Sequence, residues 1–79
     1  MEPPTSVSLY LYARAKQATI GDCNIEAPSY FNIQGRLKWN SWNELRNMSK
    51  WQAVHEFFIE LHKYILSLNM IQFNQEGQT

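Results

Sequence analysis

Little in this chain can be cross-linked, clustered into a charged patch or strung across a membrane. Cys23 is the one cysteine in 79 residues, which excludes an internal disulfide and cysteine-based zinc spacing. Basic and acidic residues balance at seven each, and no Lys/Arg run occurs. Non-specific nucleic-acid binding needs many phosphate contacts, so that class is set aside. The most apolar stretch, Trp51–Leu68, is interrupted by His55, Glu56, Glu60, His62 and Lys63; no membrane span is expected. Met1-Glu2-Pro3-Pro4 offers neither a basic nor an apolar leader, so a soluble, intracellular, cytoplasmic protein is the expectation. Repeats and low-complexity segments are absent too, leaving one domain at most. Enzyme chemistry lacks its usual signs: no nucleophile–base arrangement, metal-ligand spacing or Gly-rich phosphate loop is found, and no cofactor is implied.

What the chain does have is aromatic side chains, 14% of its residues, which favours a packed core over disorder. Thr5 or Ser6 can cap a first helix after the helix-stopping Pro3-Pro4. That helix should run to about Ile20 and stop at Gly21. At about 100° per residue, Val7, Leu11, Ala15 and Ala18 share one face, with Tyr12 and Lys16 beside it as i,i+4 neighbours. Asp22 to Gln34 reads as a loop with Pro28 in its middle and its own aromatics, Tyr30 and Phe31. A second helix is expected over Gly35 to Arg46, with Lys38 inside an arc of Trp39, Trp42 and Leu45. Ser49 and Gln52 form a capping box for a third. Trp51, Val54, Phe58, Leu61, Ile65 and Leu68 then follow at alternating steps of three and four. Adding Phe57 and Tyr64 makes a stripe broad enough for two partner helices. The polar tail, residues 69–79, should fray.

Two lysines among aromatics carry the chemistry. Lys16 either snorkels over Tyr12 or holds a phosphate while the Tyr12 ring stacks on a flat group. Lys38 either snorkels outward, makes a cation–π contact or meets an anion. On helices that must pack together, both could converge on one phosphate, since an anion between them relieves their repulsion. His55 and His62 are seven residues apart, a poor spacing for a metal, and read as solvated boundary residues. Cys23 has no base near it in sequence.

Tyr12, Lys16-Gln17-Ala18-Thr19, Gly21-Asp22, Asn24, Pro28, Gly35, Lys38-Trp39 and Trp42-Asn43 together resemble the acyl-CoA-binding protein family. The similarity runs without a gap from about Leu9 to Leu66, and Y-x-x-x-K-Q-A-T-x-G-D followed by K-W-x-x-W is highly specific. The resemblance implies a four-helix bundle that binds long-chain acyl-CoA non-covalently and performs no chemistry. It gives Tyr12 the place beside the adenine, Lys16 and Lys38 the ribose 3′-phosphate, and Phe57 the place of a last-helix tyrosine. Ala15 replaces a tyrosine of the family, and Phe57 lacks the hydroxyl.

The family's first helix has no counterpart, because Met1–Ser8 with two prolines makes a turn or two at most. The expectation is therefore all-α, a three-helix remnant of that bundle over residues 1–68, truncated at its N-terminus. That helix would cover Phe57, Phe58, Leu61 and Tyr64, and leaving them wet forfeits roughly 1.5–3 kcal/mol each. Weakened acyl-CoA binding and a marginal monomer follow. The competing readings are a partner helix or second copy on those four side chains, or a truncated product that binds nothing.

Overall fold

A computed structural model describes residues 4–77, and the side chains of residues 4–70. Three helices appear among the described residues: α1 (Thr5–Thr19), α2 (Ile33–Asn43) and α3 (Lys50–Gly77). The fold is all-α, as the sequence periods require. α1 is the middle helix, packed against α2 on one side and α3 on the other, while α2 and α3 do not meet. The molecule measures 51 × 32 × 14 Å. With α1 between two helices that do not touch each other, the three lie side by side in a single layer.

That layering decides which residues are buried. The core holds Ala13, Cys23, Trp42 and Leu45, with Tyr12, Trp39 and Met48 packed against it. Along α1 the fully buried positions are Ala13 and Gln17. The expected stripe of Val7, Leu11, Ala15 and Ala18 is only half-buried, because a middle helix is covered on its two flanks and not on one broad face. On α3, Ala53 is fully buried. The broad stripe of this helix meets α1 alone, so its other half, with Trp51, Phe58 and Ile65, stays exposed. Phe57, Leu61 and Tyr64 are half-buried and only Phe58 of the expected bare quartet is exposed.

Several boundaries differ from the sequence reading, each for a local reason. Pro4 occupies the N-cap of α1, and neither Thr5 nor Ser6 caps it. The stop is as expected: Ile20 ends the helix, and Gly21, at φ +103°, sends its N–H back to the Lys16 carbonyl. α2 begins two residues early because Asn32 caps it, its Oδ1 accepting from the Gly35 N–H at 3.0 Å. It ends at Asn43, before a turn that closes with Asn47 at φ 77°. Half of the capping box forms: the Gln52 N–H donates to Ser49 Oγ, but the Gln52 side chain turns to Glu56. α3 continues to Gly77, past the expected end at Leu68, since no proline or earlier glycine interrupts it.

Candidate ligand-binding site

Gln17 organises the end of α1 on which Lys16 sits. Its side chain is fully buried, and its Nε2 donates to Asp22 Oδ1 at 2.9 Å and to the Met48 carbonyl at 2.8 Å. The same Asp22 oxygen accepts from the Asn47 N–H at 2.8 Å. One amide and one carboxylate thus tie α1, the loop after it and the α2–α3 turn into a polar knot. The Gln17 and Asn47 bonds, with Arg46 nearby, hold the Asp22 carboxyl below its ordinary pKa. Gln17 Oε1 is buried with no partner among the described residues.

α2 is fixed by its tryptophans. Trp42 Nε1 donates to the Gly21 carbonyl at 2.8 Å, and Trp39 Nε1 to the Ile25 carbonyl at 2.9 Å. These bonds set the rotation of α2 against the end of α1. α3 is held by Arg14, whose Nε is 3.0 Å from Glu56 Oε1 and whose guanidinium stacks 3.6 Å over the Tyr10 ring. Bonds from Gln52 and then from Arg14 lower the Glu56 pKa.

With the helices so placed, three of the four sequence-derived site residues come together. Lys16 Nζ lies 5.8 Å from the Tyr12 ring centroid and 5.6 Å from that of Trp42. Lys38 Nζ, from α2, lies 5.5 Å from the Tyr12 centroid. Tyr12 and Lys16 are half-buried and Lys38 is exposed. Arg14–Glu56 is the one ion pair among the described residues, so no carboxylate engages either lysine there. Two ammonium groups from different helices beside one ring can hold a dianion and stack a flat group next to it.

Phe57 is placed elsewhere, on α3. With Ala15, Ala18, Thr19, Val54 and Phe58 it lines an open apolar cavity of about 280 Å³ between α1 and α3. The small side chain of Ala15 forms part of that space. A second open cavity, of about 520 Å³, runs along the uncovered side of α3 and includes His55 and His62. Among the described residues no three His, Cys, Asp or Glu side chains are grouped as metal ligands. Cys23 is buried in the core beside Trp42. No helix there is long and apolar enough to cross a membrane.

The family model of the acyl-CoA-binding protein matches residues 1–61. This chain belongs to that family. It is 51% identical over 49 residues to the acyl-CoA-binding domain-containing protein 6 homolog of Dictyostelium discoideum, covering 62% of this chain and 17% of that protein. It is 43% identical over 70 residues to acyl-CoA-binding domain-containing protein 6 of Bos taurus, covering 89% and 25% respectively. The chain thus spans at most about a quarter of the curated relatives it matches. Among solved structures it is similar to acyl-CoA-binding protein 2 of Oryza sativa, with a TM-score of 0.83, 27% identity, and 85% of this chain and 73% of that one covered. The acyl-CoA-binding protein of Moniliophthora perniciosa gives 0.74 and 35% identity over 76% of this chain and 57% of that one.

The sequence reading missed the polar knot, although Gln17 and Asp22 both stand in the motif. Its partners lie 31 and 25 residues away along the chain, and no local spacing signals them.

Proposed function

We propose that this chain binds long-chain acyl-CoA non-covalently and catalyses no reaction on it. The observation that carries this reading is that Lys16 Nζ and Lys38 Nζ, from two different helices, lie 5.8 and 5.5 Å from the same Tyr12 ring centroid. The ribose 3′-phosphate sits between the two ammonium groups, and the adenine lies on the Tyr12 ring. Phe57 gives an apolar wall to the α1–α3 cavity, where the Ala15 position leaves room. Binding is weakened, because the family resemblance implies tyrosines where this chain has Ala15 and Phe57, so that an aromatic wall is absent at the first and a hydroxyl at the second. The reading carries with it a cytoplasmic role in holding and transporting the ligand.

The test is thermal unfolding of the chain and of the double variant Lys16→Ala/Lys38→Ala, each with and without palmitoyl-CoA below its micellar range. Ligand linkage should raise the midpoint of the parent chain and leave the variant unmoved, with helicity equal in both. A variant that still responds would refute the cluster assignment.

A second reading, association of α3 with a partner helix or a second copy, is favoured by the exposure of Phe58 beside half-buried Phe57, Leu61 and Tyr64. It predicts a concentration-dependent mass that Phe58→Glu abolishes. A strictly monomeric chain at high concentration excludes it.

A further inference from the structure

The loop between α1 and α2 exposes an apolar surface that the single-layer packing does not explain. Phe31 is 96% exposed, Tyr30 82%, Ile33 68% and Ile25 55%. They lie within nine residues of one another in sequence, on the loop and the first residue of α2. Exposed clusters of this kind are normally sites of interaction.

The loop is held in place from below. Arg36 Nη1 donates to the Pro28 carbonyl at 3.0 Å, and its guanidinium stacks 4.3 Å over the Tyr30 ring and 5.5 Å from Trp39. Trp39 Nε1 bonds the Ile25 carbonyl, and Arg46 Nη2 reaches the Cys23 carbonyl at 3.4 Å. The Ser29 hydroxyl accepts from the Phe31 N–H at 3.2 Å. A tip fastened in this way loses little freedom when its side chains enter another phase.

Chemistry selects the partner. The tip carries a phenyl ring, a phenol and two branched aliphatics, over two arginines and a tryptophan. Amphipathic aromatics and cations are the groups that settle at the headgroup level of a bilayer, rings inward and guanidinium toward phosphate. Of the two carboxylates in the loop, Asp22 is engaged by Gln17 and Asn47, which leaves Glu26 as the one opposed to an anionic surface. We infer that the Ile25–Ile33 tip docks reversibly on anionic phospholipid bilayers, with Phe31 and Ile33 at the acyl boundary and Arg36 among the headgroups. This inference does not depend on the acyl-CoA reading.

Flotation of the 79-residue chain with vesicles, without acyl-CoA, tests it. Vesicles of phosphatidylcholine containing about 30% phosphatidylserine should carry the chain, more than neutral vesicles do, and added salt should weaken the effect. Phe31→Ser and Ile33→Ser should each lower the partition coefficient about tenfold, with helicity unchanged. Phe58→Ser, on the other exposed apolar surface, should change it little. No binding to either vesicle, or equal binding by Phe31→Ser, overturns the inference. So does loss of binding with Phe58→Ser alone, which would move the contact to α3. Lys16→Ala should leave vesicle binding in place, so failure here and failure of ligand binding are read separately.

Discussion

Removing Lys38 should weaken acyl-CoA binding only when the ligand carries its 3′-phosphate. Lys38 is exposed, its Nζ lies 5.5 Å from the Tyr12 centroid, and it donates no side-chain bond within the described residues. Lys38→Ala therefore costs the fold little and tests ligand contact cleanly. A charge-assisted hydrogen bond is worth about 1.5–3 kcal/mol, and solvent exposure puts this one near the lower end. The dissociation constant should rise roughly tenfold, since about 1.4 kcal/mol is a factor of ten. The assay is calorimetric titration in a double-mutant cycle: parent chain and Lys38→Ala, each with palmitoyl-CoA and with its 3′-dephospho analogue. Removing the phosphate should weaken the parent chain more than the variant, because Lys16 alone remains to sense it. Equal losses in both chains, giving a coupling energy near zero, would refute the contact.

Three further outcomes follow from the architecture. Gln17→Ala should destabilise the chain by about 2–4 kcal/mol in urea unfolding, since it removes the Gln17 donor from the Met48 carbonyl and from Asp22, which keeps only the Asn47 N–H, and leaves a hole where a fully buried side chain was; a change under 0.5 kcal/mol would show that the knot is ornamental. Gly21→Ala should cost about 1–2 kcal/mol from backbone strain at φ +103°, because the added Cβ meets only the flexible end of Lys50 at 3.6 Å; an unchanged midpoint would contradict this. Acid should destabilise the fold, because Asp22 and Glu56 both have lowered pKa values in it. Their stabilisation is present above the ordinary carboxylate range and is lost as pH falls below about 4; Asp22→Asn should flatten that slope in a pH series of unfolding midpoints.

The parts legible in the sequence are those carried by near neighbours. Gly21 as a stop, Ser49 as a cap and the three-four steps of α3 are local signals, and each marks an element in the structure. The Tyr12–Lys16 pair follows from helix pitch alone. Its meeting with Lys38 needed only that two aromatic-rich helices pack. The knot of Gln17, Asp22 and Asn47 was out of reach, because a buried amide looks like a surface one until its distant partners are known. The wide stripe of α3 was legible as apolar, but which half is covered depends on how many helices share the layer. That is why Phe58 is exposed where Tyr64 is half-buried. Of the loop's own aromatics, Tyr30 helps to hold it through the Arg36 guanidinium while Phe31 is exposed, and the remaining ties come from Arg36, Arg46 and Trp39, which are distant in sequence.

The central claim is that this chain binds acyl-CoA, and direct calorimetric titration with palmitoyl-CoA below its micellar range tests it most simply. The account predicts a saturable one-to-one isotherm, with free CoA binding more weakly because it lacks the acyl chain. An absence of saturable heat with palmitoyl-CoA, from a chain whose helicity is intact, would contradict it.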